Sequence, residues 1–391
     1  MTVNRIGRKN FLPKLAATVF QLLTCYKILM RVTVKTRRSF QFSKILLKWT
    51  REKNKRQMPW KWEKDPYRIW LSEIILQQTR VEQGLKYYEN FIKRFPDIHK
   101  LANAPDQKIY KFWEGLGYYS RCRNLIETSR YISKELNGEF PSHYEEIKKL
   151  KGIGPYTAAA IASFAFNEPN AVVDGNVFRV LARIFDINKA IDSTEGKKFF
   201  TGLANELLEK QNPGLYNQAI MDFGAVICKP VPLCSQCPFD KYCLAFLNNK
   251  ILLLPVKRKK ATVRKRWLNY ILFEYKGRFA VRQRTEKDIW HNLFEFLLIE
   301  SIQLLDEKKI LKELRKKKWV GKNGFETKSF SRVFKQQLSH QLIEGRVIKV
   351  KLYQKPKLHD VLWIRQVEIK KYAFPKLINQ YLLSEDLIKQ K

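Results

Sequence analysis

Four cysteines, Cys228, Cys234, Cys237 and Cys243, crowd into residues 228–243 with the spacing Cys-x5-Cys-x2-Cys-x5-Cys. The chain has 391 residues and six cysteines in all, too few for a disulfide scaffold of this size. Clustered thiols in a large chain read instead as metal binding in a reducing compartment. The other two, Cys25 and Cys122, are isolated and read as ordinary thiols. The surrounding chain is strongly basic, with 75 Lys and Arg against 37 Asp and Glu, a formal charge of +38. Such a surface seeks polyanions, nucleic acid first and an anionic membrane surface second. Hydrophobic residues at 45% and aromatics at 13% are enough for real cores, which excludes global disorder.

The texture of the chain changes along its length. Residues 1–51 carry no acidic residue, and the apolar run Leu15 to Tyr26 is too short to span a membrane. Residues 1–40 read as a basic extension, with Met30 as an alternative start. Residues 41–250 read as one mainly helical domain. Asp65-Pro66 is an N-cap followed by proline at the first helical position, and Ser142 with Glu145 reads as a capping box. Leu254-Pro255 and the lysines that follow mark a linker over 251–261. Beyond it, Trp267 to Tyr275, the turn Lys276-Gly277 and Phe279 to Val281 read as a hairpin, so a second, α+β domain is expected over 262–375. Residues 376–391 read as a terminal helix or tail.

Several segments carry chemistry. Gly152 and Gly154, in Lys151-Gly152-Ile153-Gly154-Pro155-Tyr156, allow a tight hairpin that brings backbone N–H groups close to a phosphate; alone, the pattern is equally a helix–helix turn. Asp174, in Val173-Asp174-Gly175-Asn176, is a carboxylate placed just before a helix, where it could also be only an N-cap. Glu73 lies on a helix face with Trp70, Ile74 and Gln77, where desolvation should raise its pKa and suit it to general-acid work; the alternative is an exposed position at the edge of the stripe. One acid and one anion from separate segments form the pattern that cleaves glycosidic bonds through an oxocarbenium-like state.

Taken in order, Met58-Pro59-Trp60, the run Trp70 to Thr79, Gly115-Leu116-Gly117-Tyr118-Tyr119-Ser120-Arg121, Gly152 to Thr157, Val173 to Val177 and the four cysteines resemble the adenine DNA glycosylases of the MutY type. These belong to the helix-hairpin-helix superfamily that includes endonuclease III. The resemblance covers roughly Phe42 to Tyr353. It implies a helical glycosylase domain with an iron–sulfur cluster loop, followed by an α+β, Nudix-like (MutT-like) domain. It implies that Glu73 protonates adenine, that Asp174 stabilises the sugar cation or its adduct, and that Tyr156 and Asn176 orient that site. Gln78 and Tyr118 correspond to groups that fill or wedge the duplex, and Arg56, Met58 and Trp60 to the edge of the adenine pocket, while Gln77 and Thr79 add polar groups suited to bases and phosphates. The base must leave the stack to be reached.

Further expectations come with the family. A lysine in place of Tyr156 marks the strand-cleaving members, so the tyrosine implies a glycosylase without strong lyase activity. The first cysteine gap holds five residues, Lys229 to Leu233, where the family has six; a [4Fe–4S] cluster is still expected, with zinc on the same thiolates as the competing reading. Lys61 stands where the family usually has arginine. In the second domain, Arg282 to Phe296 matches the Nudix-like second strand and turn, but no glutamate-rich pyrophosphatase signature follows, so no nucleotide hydrolysis is expected. Leu338-Ser339-His340 falls where the family reads 8-oxoguanine with Phe-Ser-His. The expected substrate is duplex DNA carrying adenine opposite 8-oxoguanine or G, handled by a monomer at the bacterial nucleoid in the cytoplasm, with no membrane partner. The rivals are an endonuclease III-like lyase and a non-enzymatic DNA-binding module with a structural metal.

Overall fold

The computed structural model describes residues 41–258, 263–321, 324–338 and 340–389. The expected basic extension, with Cys25 and Met30, lies outside the described residues, as do the end of the expected linker and Ser339. The chain forms two compact units, each built from two stretches of sequence. The first takes the described residues through Lys64 together with Pro155–Arg258; the second takes Asp65–Gly154 together with the described residues beyond Arg258.

The N-terminal part of the chain is helical. Residues 41–52 form α1. There follow α2 (Pro66–Leu76), α3 (Val81–Arg94), α4 (Ile98–Ala102), α5 (Asp106–Trp113), α6 (Tyr119–Glu135) and α7 (Tyr144–Ile147). Then come α8 (Pro155–Phe166), α9 (Gly175–Ile184), α10 (Thr194–Leu207), α11 (Pro213–Val226) and α12 (Leu244–Leu247). Asp65 caps α2 by accepting from the Tyr67 N–H, and Pro66 opens it, as the sequence predicts. The Ser142–Glu145 box does not form. His143 is the N-cap of α7, one residue later than expected, and it makes no side-chain cap bond.

In the first unit an aromatic seam ties α1 to the cysteine loop. Phe42 stacks on Phe239 at 5.1 Å, Phe239 meets Phe223 of α11 at 5.3 Å, and Trp49 meets Phe223 at 5.2 Å. In the second unit α2 is buried on nearly all sides, from Tyr67 to Ile75, rather than along one stripe. A helix apolar all round belongs at the centre of its domain, which places Glu73 in an interior.

The C-terminal lobe of the second unit is a mixed sheet between two helices. Its strands are β1 (Arg264–Tyr275), β2 (Arg278–Gln283), β3 (Phe294–Glu295), β4 (Leu297–Ser301), β5 (Phe325–Phe330), β6 (Phe334–Gln337), β7 (Gln341–Leu352) and β8 (Leu362–Arg365). The path runs β3-β2-β1-β7-β5, with β1 and β7 parallel. Lys276 and Gly277 both take positive φ, 46° and 71°, the two-residue turn whose twist matches a hairpin. Ile271 and Phe273 face α13 (Glu307–Lys316), through Ile310 and Leu314. α14 (Lys376–Ser384) covers the other face, with Tyr381 against Phe296 and Leu377 over Gly345. Burial on both faces matches the unbroken buried stretch Leu268 to Phe273 in β1, apolar but for Asn269. The segment expected as a terminal helix or tail is thus a buried helix through Ser384.

Candidate active site

In the first unit, Asp174 is the N-cap of α9 and accepts from the Val177 N–H at 2.8 Å. Its other oxygen accepts from Asn176 Nδ2 at 2.8 Å. Burial pushes the carboxyl above the usual aspartate range, and these donors with the Arg179 charge only partly offset it. Asn176 is itself clamped, because Arg179 donates to its Oδ1 at 2.8 Å. The same guanidinium donates to Gly224 O at 2.8 Å and to Cys228 O at 2.7 Å. α9 and α11 approach closely here, and a Cβ on Gly224 would lie 2.7 Å from that of Asn176. One arginine thus joins the carboxylate site to the first cysteine.

A second buried acid organises the loop after α1. Asp222 on α11 is fully buried and accepts from Arg56 at 2.8 Å, Asn54 at 2.8 Å and Gln218 at 3.0 Å. Lys61 pairs with it at 3.2 Å and donates to Arg56 O at 2.7 Å. The turn Met58 to Lys61 closes with a 2.9 Å backbone bond, leaving Met58 and Trp60 half-buried. Tyr156 directs its hydroxyl at Met221 Sδ, 3.9 Å away, next to Asp222 in the chain. Residues 56–60 and Tyr156 are therefore held by one helix.

In the second unit, Glu73 is buried in α2, at 8% exposure. The turn that follows is held by Arg121, whose guanidinium donates to the carbonyls of Ile74 at 2.6 Å, Ile75 at 3.0 Å and Gln77 at 2.6 Å. It also packs against the Trp113 and Tyr118 rings, at 5.3 and 5.5 Å. Burial lowers its pKa to about 10, which leaves it a cation at neutral pH. Gln78 and Tyr118 both stand in the left-handed region, at φ 56° and 46°, and both are exposed. Arg121 thus holds both turns, through Gln77 O in the first and the Tyr118 ring in the second. Thr79 closes the first turn with a backbone bond to Leu76 O at 3.1 Å.

The glycine hairpin belongs to this unit too. Gly152 has φ +77°, and a Cβ there would lie 2.6 Å from the Asn124 side chain. At Gly154 nothing lies within 4 Å of a Cβ, so its backbone is bare toward solvent. In the C-terminal lobe β6 and β7 pair as a hairpin, Gln337 opposite Leu342, which brackets Leu338-Ser339-His340. His340 is exposed, and its carbonyl accepts from Arg264 N at 2.9 Å.

Residues 71–205 match the family described as HhH-GPD superfamily base excision DNA repair protein, and residues 269–384 match the NUDIX domain. An adenine DNA glycosylase of Buchnera aphidicola subsp. Baizongia pistaciae is 37% identical over 303 residues, 76% of this chain and 83% of that one. The chain belongs to the adenine DNA glycosylase family. The human adenine DNA glycosylase is 41% identical over 210 residues, 51% of this chain and 38% of that protein. The structure of a thermostable thymine-DNA glycosylase aligns with a TM-score of 0.50 at 28% identity, covering 54% of this chain and 98% of that one.

The four cysteines of the expected cluster loop lie in the first unit. Among the described residues no three metal-binding side chains gather closely enough to hold one ion. The thiols nevertheless share one locus. Burial pushes the Cys237 thiol up to about 12, and Cys228, Cys243 and Cys234 each add to that rise. Buried Arg183 donates to Cys228 Sγ at 3.7 Å, to Lys229 O at 2.6 Å, to Pro230 O at 2.9 Å and to Leu254 O at 3.1 Å. The shortened Lys229–Leu233 gap is thus pinned by one guanidinium. Burial raises Cys228, Cys237 and Cys243 alike, so thiolates at these positions call for a bound group that supplies positive charge, which the chemistry of a four-cysteine set fits.

Arg121, Arg179, Arg183 and Asp222 were not singled out by sequence reading for these roles. Asp222 carried the signal used for Glu73, a lone acid in an apolar helix; Arg121 ends the quoted Gly115–Arg121 run, while Arg179 and Arg183 carried none. Among the described residues no helix is long and apolar enough to cross a membrane.

Proposed function

We propose that this chain excises adenine mispaired with 8-oxoguanine, or with G, from duplex DNA by hydrolysing its N-glycosidic bond. The observation that carries the reading is Asp174, a half-buried carboxylate that accepts from the Val177 N–H on one oxygen and from Asn176 Nδ2 on the other. Such a group is oriented, and burial leaves its charge strongly felt, which suits it to stabilise a sugar cation. Glu73 supplies the proton to the leaving adenine. Its interior position on α2 shields it from bulk water, and Arg121 fixes the end of that helix. Gln78 and Tyr118 occupy the space left by the extruded base, and the bare backbone at Gly154 takes a phosphate. Tyr156 offers no amine for a Schiff base, so strand cleavage does not accompany base release.

Cys228, Cys234, Cys237 and Cys243 would hold a [4Fe–4S] cluster. When bound, it supplies four metal–thiolate bonds that fold the loop and leaves no position open to water. The linear boundaries 41–250 and 262–375 follow as the adenine-removing and lesion-reading domains, in a DNA-bound monomer. His340 and Ser339 are the proposed reader of the altered purine edge.

The test is single-turnover release of adenine from duplexes carrying A opposite 8-oxoguanine, G or T, with an oxidised pyrimidine duplex as control. Glu73→Gln should reduce release about 10²–10⁴-fold, the usual contribution of a general acid, with DNA binding retained. Normal rates in that variant, or activity only on the oxidised pyrimidine, would overturn the reading.

A further inference from the structure

Glu114 follows α5 and directly precedes the Gly115–Tyr118 turn. Its two ends are held by different parts of the second unit. Its backbone carbonyl accepts from the Tyr87 hydroxyl at 2.8 Å. Gly115 then takes φ +101°, where a Cβ would come within 2.4 Å of that hydroxyl, so the turn departs from a fixed point. The carboxylate points the other way and is 8% exposed. One oxygen accepts from Lys111 Nζ at 2.7 Å. The other accepts from the Phe374 N–H at 2.9 Å and from Asn379 Nδ2 at 3.0 Å.

Phe374 and Asn379 belong to the C-terminal lobe, and Lys111 to α5. Lys111 reinforces the contact by donating to Tyr372 O at 2.8 Å, and Asn292 Nδ2 reaches the Tyr110 hydroxyl at 3.1 Å. The segment Tyr372–Phe374 is stitched into the sheet, since Phe294 N donates to Ala373 O at 2.8 Å and the Phe294 and Tyr372 rings lie 4.5 Å apart. Asn379 lies on α14, which packs on β6 and β7, the hairpin that brackets Leu338 to His340. A surface docking would show exposed, loosely paired charges; here a buried carboxylate receives three donors, two of them from 260 and 265 residues away in sequence.

We propose that Glu114 is a positioning residue that sets the Gly115–Tyr118 turn according to what the C-terminal lobe grips, and so determines how strongly adenine removal depends on the opposing base. The inference rests on the reading that this lobe recognises 8-oxoguanine. A carboxylate that bonds both elements moves them together, and a lobe seated on its lesion holds the turn in its inserted position.

The test compares single-turnover adenine release opposite 8-oxoguanine and opposite G in the full-length protein. Glu114→Ala should cut the preference for 8-oxoguanine about tenfold, within the usual range of coupling between sites, while the rate opposite G moves far less. Glu114→Gln should restore most of the preference, because its amide oxygen still accepts from Phe374 and Asn379. Asn379→Ala should weaken the preference in part and add nothing to Glu114→Ala, as expected of one network. Equal falls on both substrates, tracked by a lowered melting temperature, would make Glu114 merely structural and overturn the inference. So would an intact preference in Glu114→Ala. A wild-type protein with no preference would overturn the substrate reading itself and the inference with it.

Discussion

Asp174 in the first unit, half-buried, and Glu295 in the C-terminal lobe, fully buried, are both carboxylates whose pKa desolvation raises. Their partners differ in kind. Asp174 takes an amide and a backbone N–H at 2.8 Å, with the nearest guanidinium one residue removed, on Asn176. Glu295 sits fully buried between Arg282 and Arg284, each at 2.8 Å, and Arg284 is shared with Asp288 at 2.7 Å. The direction of the shift therefore does not tell a reacting group from a structural one. What tells them apart is whether the charge is already cancelled. A carboxylate neutralised by two guanidiniums has little field left for a cationic transition state, whereas one held by neutral dipoles keeps it.

The largest expected effect follows from Asp174→Asn. The new side chain still caps α9, asparagine being as good a cap as aspartate. Base release should fall about 10²–10⁴-fold or further. Stability should barely move. With the folded pKa raised, the carboxyl's contribution to stability is full below the ordinary aspartate value and is lost as pH rises through the raised one. The substitution removes that loss but turns an amide donor toward Asn176 Nδ2, so the two effects offset, the melting temperature at neutral pH should change little, and its pH dependence should be flatter. A thermal melt showing clear destabilisation would break the comparison. Glu295→Gln tests the opposite case. It leaves Arg282 with Glu286 at 3.4 Å and Arg284 with Asp288 and Glu286, removes the buried charge both guanidiniums share, and should cost about 3–5 kcal/mol in denaturant unfolding of the C-terminal lobe. Adenine release opposite plain G should survive under native conditions. Its abolition in a folded protein would assign Glu295 to the chemistry.

The fold was legible wherever a local rule decided it. Asp65-Pro66, Lys276-Gly277 and Asp174 each specify an element end through their own backbone needs, and the structure places ends there. The Ser142 box failed because the helix begins one residue later, so the third helical position falls on Glu146 and not Glu145. The candidate site is legible in the sequence only as a set of segments, each carrying its residues in a short run. What joins the segments was not. Arg121 bonds carbonyls 44–47 positions away, Arg179 bonds Cys228 49 positions away, and Glu114 reaches Asn379 across 265. Nothing in a local pattern says which of 75 cations will be buried. Burial of an arginine depends on carbonyls that only the finished fold brings together.

The last and smallest effect concerns Asp222, which lies in the same unit as Asp174 but carries the partners of Glu295. Arg56 at 2.8 Å and Lys61 at 3.2 Å cancel its charge, and Asn54 and Gln218 complete its shell. By the comparison it is structural, although it stands beside Met221 and so beside Tyr156. Asp222→Asn keeps the shape but turns an amide donor toward a shell made of donors. The unmade bonds should cost about 1–3 kcal/mol of stability. Because Arg56 and Lys61 then loosen the turn that carries Met58 and Trp60, substrate affinity should weaken, while the single-turnover rate at saturating DNA changes little. That split between affinity and rate separates a residue that shapes a pocket from one that acts on the bond. If instead the saturated rate collapses while stability holds, nearness to Tyr156 would matter more than the cancelled charge, and partner type would cease to be a guide to function in this molecule.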